Sequence, residues 1–440
     1  MNAPRTVLAT AFLIPGLALA APAIAPVEPP ARGSFDAQVI ARGAELSAIG
    51  NCKGCHTAGD GKPFAGGRPL KTPFGTIHGT NITPDPETGI GRWSEAAFRR
   101  AMHEGLDRQG RNLYPAFPYD HFTKLTDADV GALYAFMMTR DPVSAETPPN
   151  QLPFPYNIRG FISVWKNLYF EPGRFQANPA RNAEWNRGAY LVEGVGHCGA
   201  CHTPRNTLGA ERRDRHLAGG EVDSWHAPAL NTESPSPMPW TAAQLDTYLR
   251  TGIEDLHAIA AGPMASVTRT LANVTPEDTR AIAVYVASLM DRQTTEAKQR
   301  ADEALAQARS AAFAPANQLR DRTVAASDDR PQSSGATIYA DTCASCHDPG
   351  RSLSSGGALH LSLAIAPALP TPSNLIHLTL EGIAPPDGAQ GRSMPGFAGA
   401  LTNDQVTALV QYLRVEFGRK TAWRNVDEEV ASAVNDINAR

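Results

Sequence analysis

Three copies of Cys-x-x-Cys-His consume all six cysteines of this 440-residue chain: Cys52-Lys53-Gly54-Cys55-His56, Cys198-Gly199-Ala200-Cys201-His202 and Cys343-Ala344-Ser345-Cys346-His347. The pentapeptide is the attachment signature of c-type haem. Two thiols three residues apart share a helical face, where each forms a thioether to the porphyrin edge. The adjacent histidine then offers a ring nitrogen to the iron. Structural zinc draws four ligands from paired motifs, and three CxxC units do not pair. A disulfide framework belongs mainly to short secreted chains and leaves three adjacent histidines unexplained. The expectation is three covalent haems, held at Cys52 and Cys55, Cys198 and Cys201, and Cys343 and Cys346, with His56, His202 and His347 on the iron.

The first cysteines fall at 52, 198 and 343, intervals of 146 and 145 residues, which reads as one module used three times. Smaller landmarks recur in the same register. A candidate N-cap stands at Ser94, Thr241 and Thr371, the last followed by Pro372 at the favoured first helical position. Eleven residues on comes a helix-ending glycine, Gly105, Gly252 and Gly382. A further helix opens at Thr126, Thr275 and Thr402, with an aromatic ten residues later at Phe136, Tyr285 and Tyr412. The spacing predicts a mainly α protein of three like domains over 36–140, 181–291 and 334–418, with long irregular loops covering the haems and little sheet.

Twelve residues past each helix-ending glycine stand Phe117, Met264 and Met394. A loop there would cross the open haem face, and a thioether is an apt sixth ligand that raises the potential of low-spin iron. Met264 sits in Gly262-Pro263-Met264-Ala265 and Met394 in Ser393-Met394-Pro395-Gly396-Phe397. The prolines restrict the backbone beside each sulfur. Phe117 cannot ligate iron, so the first site needs another answer. Met102, three residues before Gly105, is the leading choice. His121 is the second, an open five-coordinate iron the third, and His103 a minor one.

These motifs resemble the three-haem cytochrome c subunits of bacterial periplasmic dehydrogenases. The likeness covers about 38–418. It rests on Arg42-Gly43-Ala44-Glu45-Leu46, Asn81-Ile82-Thr83-Pro84-Asp85, Thr88-Gly89-Ile90-Gly91 with Trp93, Leu113-Tyr114-Pro115-Ala116 and Arg187-Gly188-Ala189-Tyr190-Leu191. The resemblance implies three tandem class I cytochrome c folds, in which an N-terminal helix glycine (Gly43, Gly188, Gly335) meets the last-helix aromatic. It also implies a catalytic dehydrogenase partner. Alcohol and gluconate dehydrogenase subunits typically carry methionine at the Phe117 place. The phenylalanine version, continuing Tyr119-Asp120-His121-Phe122-Thr123, looks more like subunits that accompany molybdenum hydroxylases, with molybdopterin and 2Fe-2S subunits, acting on an aldehyde or an N-heterocycle.

A net charge of −4 gives no reason to expect nucleic acid as partner. Residues 1–20 read as a signal peptide: Arg5, an apolar run, then Ala18-Leu19-Ala20, with a second small-residue site ending at Ala25. An uncleaved anchor is the alternative. Haem attachment to this motif ordinarily occurs outside the cytoplasm, which places the protein in the periplasm, at or near the outer face of the inner membrane and peripherally associated with it. The connector 141–180 is rich in proline and aromatics and is expected to pack across domains one and two. The linker 292–333 reads as a helix over 296–312 and then a polar spacer. The stretch 419–440 reads as a polar tail.

No nucleotide loop, catalytic triad or hydrolase metal motif stands out, and no catalytic residue is expected. Scattered His78, His226 and His257 read as solvated or structural. The expected function is a relay of electrons from the dehydrogenase to quinone, an oxidase or a soluble carrier. The competing expectations are an alcohol or gluconate dehydrogenase cytochrome and a peroxidase-like enzyme using an open first haem.

Overall fold

Helix α1 (Ala37–Ile49) begins where the Asp36 carboxylate accepts from the amides of Gln38 and Val39, satisfying two otherwise unpaired donors. It lies across α3 (Asp127–Met138), whose N-cap Thr126 accepts from Asp129 N. The crossing is so close that a Cβ at Gly43 would stand 1.9 Å from the Ala132 carbonyl oxygen and 2.7 Å from Phe136 Cβ. In this computed structural model, which describes residues 21–291, 330–348, 358–385 and 392–438 with 299, 302, 303 and 306, the same crossing occurs twice more. Helices α5 (Ala183–Glu193) and α8 (Pro276–Met290) meet at Gly188, 1.9 Å from Ala281 O by the same measure. Helices α9 (Arg330–Ile338) and α11 (Asn403–Glu416) meet at Gly335, 2.2 Å from Ala408 O. Glycine is required at each crossing because any side chain would push the backbones apart. The expected meeting of glycine and aromatic is present all three times.

Between the paired helices of each repeat sits a shorter one: α2 (Glu95–Glu104), α6 (Ala242–Thr251) and α10 (Ser373–Glu381). Ser94 and Thr241 cap the first two through their hydroxyls, and Gly105 and Gly252 end them at φ of 62° and 75°. The third departs from its expected ends. Its cap is Pro372 rather than Thr371, whose hydroxyl instead lies 3.0 Å from Ser373 Oγ, and Gly382 is at φ 72°, ψ −165°, not left-handed helical. That conformation favours glycine and leads into Ile383, whose backbone pairs with Met394.

Sheet among the described residues is confined to antiparallel hairpins: β1 (Pro69–Thr72) with β2 (Gly75–His78), β3 (Gly220–Val222) with β4 (Trp225–Ala227), and β5 (Ile253–Glu254) with β6 (Ala258–Ile259). Fold class is as the repeats predict: mainly α with little sheet.

The first two repeats share one apolar core. Leu46, Leu133, Leu191 and Val195 are all at most 2% exposed within it. Each contributes about 2 kcal/mol by leaving water. A charged seam runs along its edge. Arg42 contacts Asp129 at 3.1 Å, Glu45 at 2.7 Å and Asp278 at 3.2 Å, and Arg187 holds Asp278 at 2.7 Å. Burial opposes ionisation of Asp278, but the two guanidiniums hold its carboxyl below the usual range. The third repeat keeps its own core around Ile376, Val406, Leu409 and Val410. It meets the second through Trp225 stacked on His377 (centroids 5.0 Å, 19°) and a reciprocal pair in which Asn374 binds His226 N at 2.7 Å and His226 O at 2.9 Å.

Two sequence expectations are corrected here, and a third is met only in part. The stretch 419–440 is no loose tail: α12 (Val426–Asn438) buries Val426, Val430 and Ala433 against the third core. Its Asp436 reaches Lys71 and Ser224, both at 3.3 Å. The apolar residues at i, i+4 and i+7 were the signal, diluted by four carboxylates. The aromatic connector does bridge the first two repeats, Trp165 Nε1 donating to Leu208 O at 2.9 Å and Lys166 Nζ to Asn112 Oδ1 at 3.2 Å, but part of its apolar surface stays exposed. Helix α4 (Gly160–Tyr169) tucks in Ile162 and sets Trp165 edge-on to Tyr119, yet leaves Phe161, Val164 and Leu168 53%, 56% and 63% exposed. Phe154 beside it is 77% exposed. Met264 lies not in a loop but in the first turn of α7 (Gly262–Leu271). The helix expected at 296–312 and the leader at 1–20 lie almost wholly outside the described residues. Among those described, no helix is long and apolar enough to cross a membrane.

Candidate haem sites

Each Cys-x-x-Cys-His folds as a single helical turn, Cys52–Cys55, Gly199–His202 and Ala344–His347, which brings its two sulfurs to one side. All six thiols are free. The residue before the first cysteine is in the left-handed region in two of the three, Asn51 at φ 44° and His197 at φ 38°.

The three histidines share a second feature. His56 Nδ1 is 2.7 Å from the Thr80 carbonyl, His202 Nδ1 2.6 Å from the Pro228 carbonyl, and His347 Nδ1 3.2 Å from the Leu359 carbonyl. A carbonyl accepts only, so each ring carries its proton on Nδ1 and presents the lone pair of Nε2. Burial lowers the pKa of all three rings despite the carbonyl contact, which keeps them neutral. That is the tautomer and protonation state a metal-ligating imidazole needs. Burial also pushes the thiols up, Cys52, Cys201 and Cys343 to about 11 and Cys198 to about 12.

An apolar cavity opens between the second and third repeats. Cys198, Cys201, His202 and Met264 line one part of it, and Cys343, Cys346, His347 and Met394 the other. Each histidine thus shares the cavity with the methionine of its own repeat. Met394 is anchored by paired backbone bonds to Ile383, at 2.9 and 2.8 Å. A cavity with apolar walls, neutral imidazoles, thioethers and free thiols at a covalent attachment motif fits a haem at each position.

The first site differs. Phe117 packs edge-on against Phe122 at 5.2 Å and supplies only bulk. Met102 is buried on α2 at 6% exposure. Its repeat equivalents, Leu249 and Thr379, both line the cavity, so this helical position faces the porphyrin space in the other repeats. The His121 alternative is overturned: its Nδ1 is 2.9 Å from Glu193 O and its Nε2 2.8 Å from Glu211 Oε1, so neither nitrogen is free. His103 Nδ1 is taken by Arg174 at 2.6 Å, and burial followed by that guanidinium depresses its pKa to about 4.

The first and second motifs adjoin. His197 Nε2, one residue before Cys198, is 3.1 Å from Gly50 O, and Asn51 Oδ1, one residue before Cys52, accepts from Ser266 Oγ at 3.2 Å. The Cys55 thiol is close enough to Cys201 to oppose its ionisation, and both lie near Asp223. The carbonyls of Thr80, Pro228 and Leu359 and the His197 bridge were missed in the sequence, because backbone acceptors leave no residue-type signal.

Fold and sites together define a cytochrome of the c type, whose cofactor is covalently bound haem iron. Residues 40–141 match the cytochrome c family model, and residues 330–413 match that of the cbb3-type cytochrome c oxidase subunit III. The chain is 35% identical to the fructose dehydrogenase cytochrome subunit of Gluconobacter japonicus over 96% of its own length and 87% of that protein's. It is 33% identical to the gluconate 2-dehydrogenase cytochrome c subunit of Pantoea cypripedii, covering 90% of each. A nicotinate dehydrogenase subunit of Pseudomonas putida is 44% identical over 93% of this chain, which spans 33% of that longer protein. The chain belongs to the family of dehydrogenase cytochrome c subunits.

Proposed function

We propose that this chain is a periplasmic electron-transfer subunit with three haems, at Cys52/Cys55, Cys198/Cys201 and Cys343/Cys346. The iron ligands are His56 with Met102, His202 with Met264, and His347 with Met394, one pair in each of the domains 36–140, 181–291 and 334–418. Haem iron supplies reversible one-electron exchange. The polypeptide supplies closure: a histidine and a sulfur per iron leave no position for substrate, so the protein conducts electrons and does no chemistry on a substrate. The observation that carries this reading is the cavity lined by the Cys, His and Met sets of two successive repeats. With Cys55 beside Cys201, it supports a continuous path through all three motifs.

Electrons enter from a catalytic dehydrogenase subunit and leave to quinone, an oxidase or a soluble carrier. The Phe117 segment and the 44% identity to the nicotinate dehydrogenase subunit favour a molybdenum hydroxylase as that partner, with molybdopterin and 2Fe-2S groups, over a fructose, gluconate or alcohol type. The exposed face of α4, with Phe154 and Leu208 beside it, is the surface for it. In the Pseudomonas relative the matched region is a third of the chain, so that cytochrome portion is joined to further protein, which supports protein as the occupant of this face.

Two measurements test the reading. Haem released per chain is expected to be three, and fewer defeats the ligand assignment. Copurified partner subunits are expected to contain molybdenum, and flavin or a quinone cofactor there instead defeats the partner assignment.

A further inference from the structure

His121 lies in the short turn Tyr119–Phe122 of the first repeat and is 4% exposed. Both of its ring nitrogens meet groups of the second repeat, and both groups only accept. Nδ1 is 2.9 Å from the Glu193 carbonyl oxygen, and Nε2 is 2.8 Å from Glu211 Oε1. A neutral imidazole has one N–H and one lone pair, so it satisfies only one of these contacts. A second proton must therefore lie between Nε2 and Oε1. The surrounding charges keep that proton on the ring. Burial opposes ionisation of Glu211, but His121, Arg205 and Lys124 hold its carboxyl below the usual range. Burial likewise opposes the imidazolium, yet Glu211 and Asp120 outweigh burial and Lys124 and raise the ring's pKa above 6.5. Burial pushes the Asp120 carboxyl up, while the Glu193 carboxylate is turned to Tyr285, His216 and Lys124. The neighbouring His197, its ring centroid 6.5 Å away, stays neutral, because burial and then the His121 charge depress its pKa to about 4.

The pair packs directly on the attachment turn of the second haem. A Cβ at Gly199, between Cys198 and Cys201, would lie 3.0 Å from Glu211 Oε2 and 3.0 Å from His121 Cε1. Arg205 braces the same turn through Ala200 O at 2.8 Å. Seen from that turn the protonated pair is close to neutral, because its two members stand equally near. Without the shared proton it becomes one net negative charge in a buried place, where water screens little. A negative charge beside haem iron favours the ferric state and lowers the potential. We infer that the His121–Glu211 pair is a proton site coupled to the second haem: entry of an electron at that iron draws one proton from solvent onto Nε2, and oxidation releases it. The only bond made or broken is Nε2–H. The inference rests on the haem reading above. Coupling is felt where the ring titrates, above pH 6.5, and fades below, where the pair keeps its proton in both oxidation states.

The test uses the full haem-loaded chain. One midpoint potential is expected to fall as pH rises above 6.5, and it should be the one that falls in Met264→Ala. His121→Gln keeps a donor but does not titrate, and Glu211→Gln gives the ring an amide N–H to accept and leaves it neutral. Each is expected to abolish that slope while the other two potentials stay in place, which a packing role would not do. Should one variant fail to take up haem, the other decides. A slope that persists in His121→Gln overturns the inference, as does a slope carried by another haem or by none in the unsubstituted chain. The rival to the proton is a divalent cation, since ligand atoms of Asp120, His121 and Glu211 lie within 4.8 Å of one another. Elemental analysis is expected to find iron alone; a second metal in stoichiometric amount, lost in Glu211→Gln, also overturns the inference. Haem content separates the two readings: a chain releasing fewer than three haems defeats the parent assignment, whereas three haems without the slope defeat only this one.

Discussion

Met394 and Met102 occupy their places for different reasons, and the difference is measurable. Met394 is pinned by an isolated backbone bridge to Ile383, beside a glycine conformation that no other residue adopts easily. Met394→Ala is expected to lower the third haem's potential and let carbon monoxide bind it, read by redox titration and difference spectra. An unchanged spectrum and potential would remove Met394 from the site. Met102→Ala should convert the first haem from low to high spin; retention of the low-spin spectrum would return that haem to another ligand. A titratable residue sets a pH limit as well. Glu193 is held within the second repeat by Tyr285 OH at 2.8 Å and His216 at 2.9 Å, and it reaches the first through Lys124 at 3.4 Å. Burial opposes its ionisation, but these partners prevail and bring its pKa from 4.5 down to about 2. A folded pKa below the unfolded one means stability present above pH 4.5 and lost as pH falls toward 2. Acid melting curves of Glu193→Gln should therefore be flatter over that window than those of the unsubstituted protein.

The helix crossings are the elements on which each repeat depends. Gly188→Ala must displace the Ala281 carbonyl or part α5 from α8, costing about 3 kcal/mol by overpacking. Gly131, in α3, is the control. A Cβ there meets nothing nearer than Glu95 Oε1 at 3.4 Å, so Gly131→Ala should gain about 0.5–1 kcal/mol by stiffening the unfolded chain. Denaturant midpoints compare the two directly, and equal effects would contradict the geometry. Helix α4 carries the opposite kind of information, because its outward face is more than half exposed. Replacing Phe161 and Leu168 by aspartate is expected to leave melting and haem spectra unchanged while releasing the catalytic subunit on gel filtration. A complex that survives both changes would move the docking face elsewhere.

At the scale of the whole molecule, the three-fold repeat was legible because it is written in residue types. Cys-x-x-Cys-His, the capping Ser94 and Thr241, the crossing glycines and Met264 and Met394 each impose a local chemical demand that one side chain meets. What escaped was either backbone or between repeats. The Thr80, Pro228 and Leu359 carbonyls that set three imidazole tautomers could be any residue. Likewise His121 reads as a free ligand until the fold delivers Glu211, 90 positions on, to its Nε2. The α4 face was misjudged for the inverse reason: apolar composition signals burial, yet Phe161, Val164 and Leu168 stay more than half exposed.

By itself, then, the sequence determined the repeat, the three Cys-x-x-Cys-His motifs, the crossing helices and the register of Met264 and Met394, since all of these are short-range and chemically exclusive. Tertiary structure alone decided which histidines are spoken for, that the first two repeats share a core, and that the second and third share a cavity. Those outcomes depend on contacts between residues far apart in the chain, whose partners are fixed only when burial makes every polar group find one.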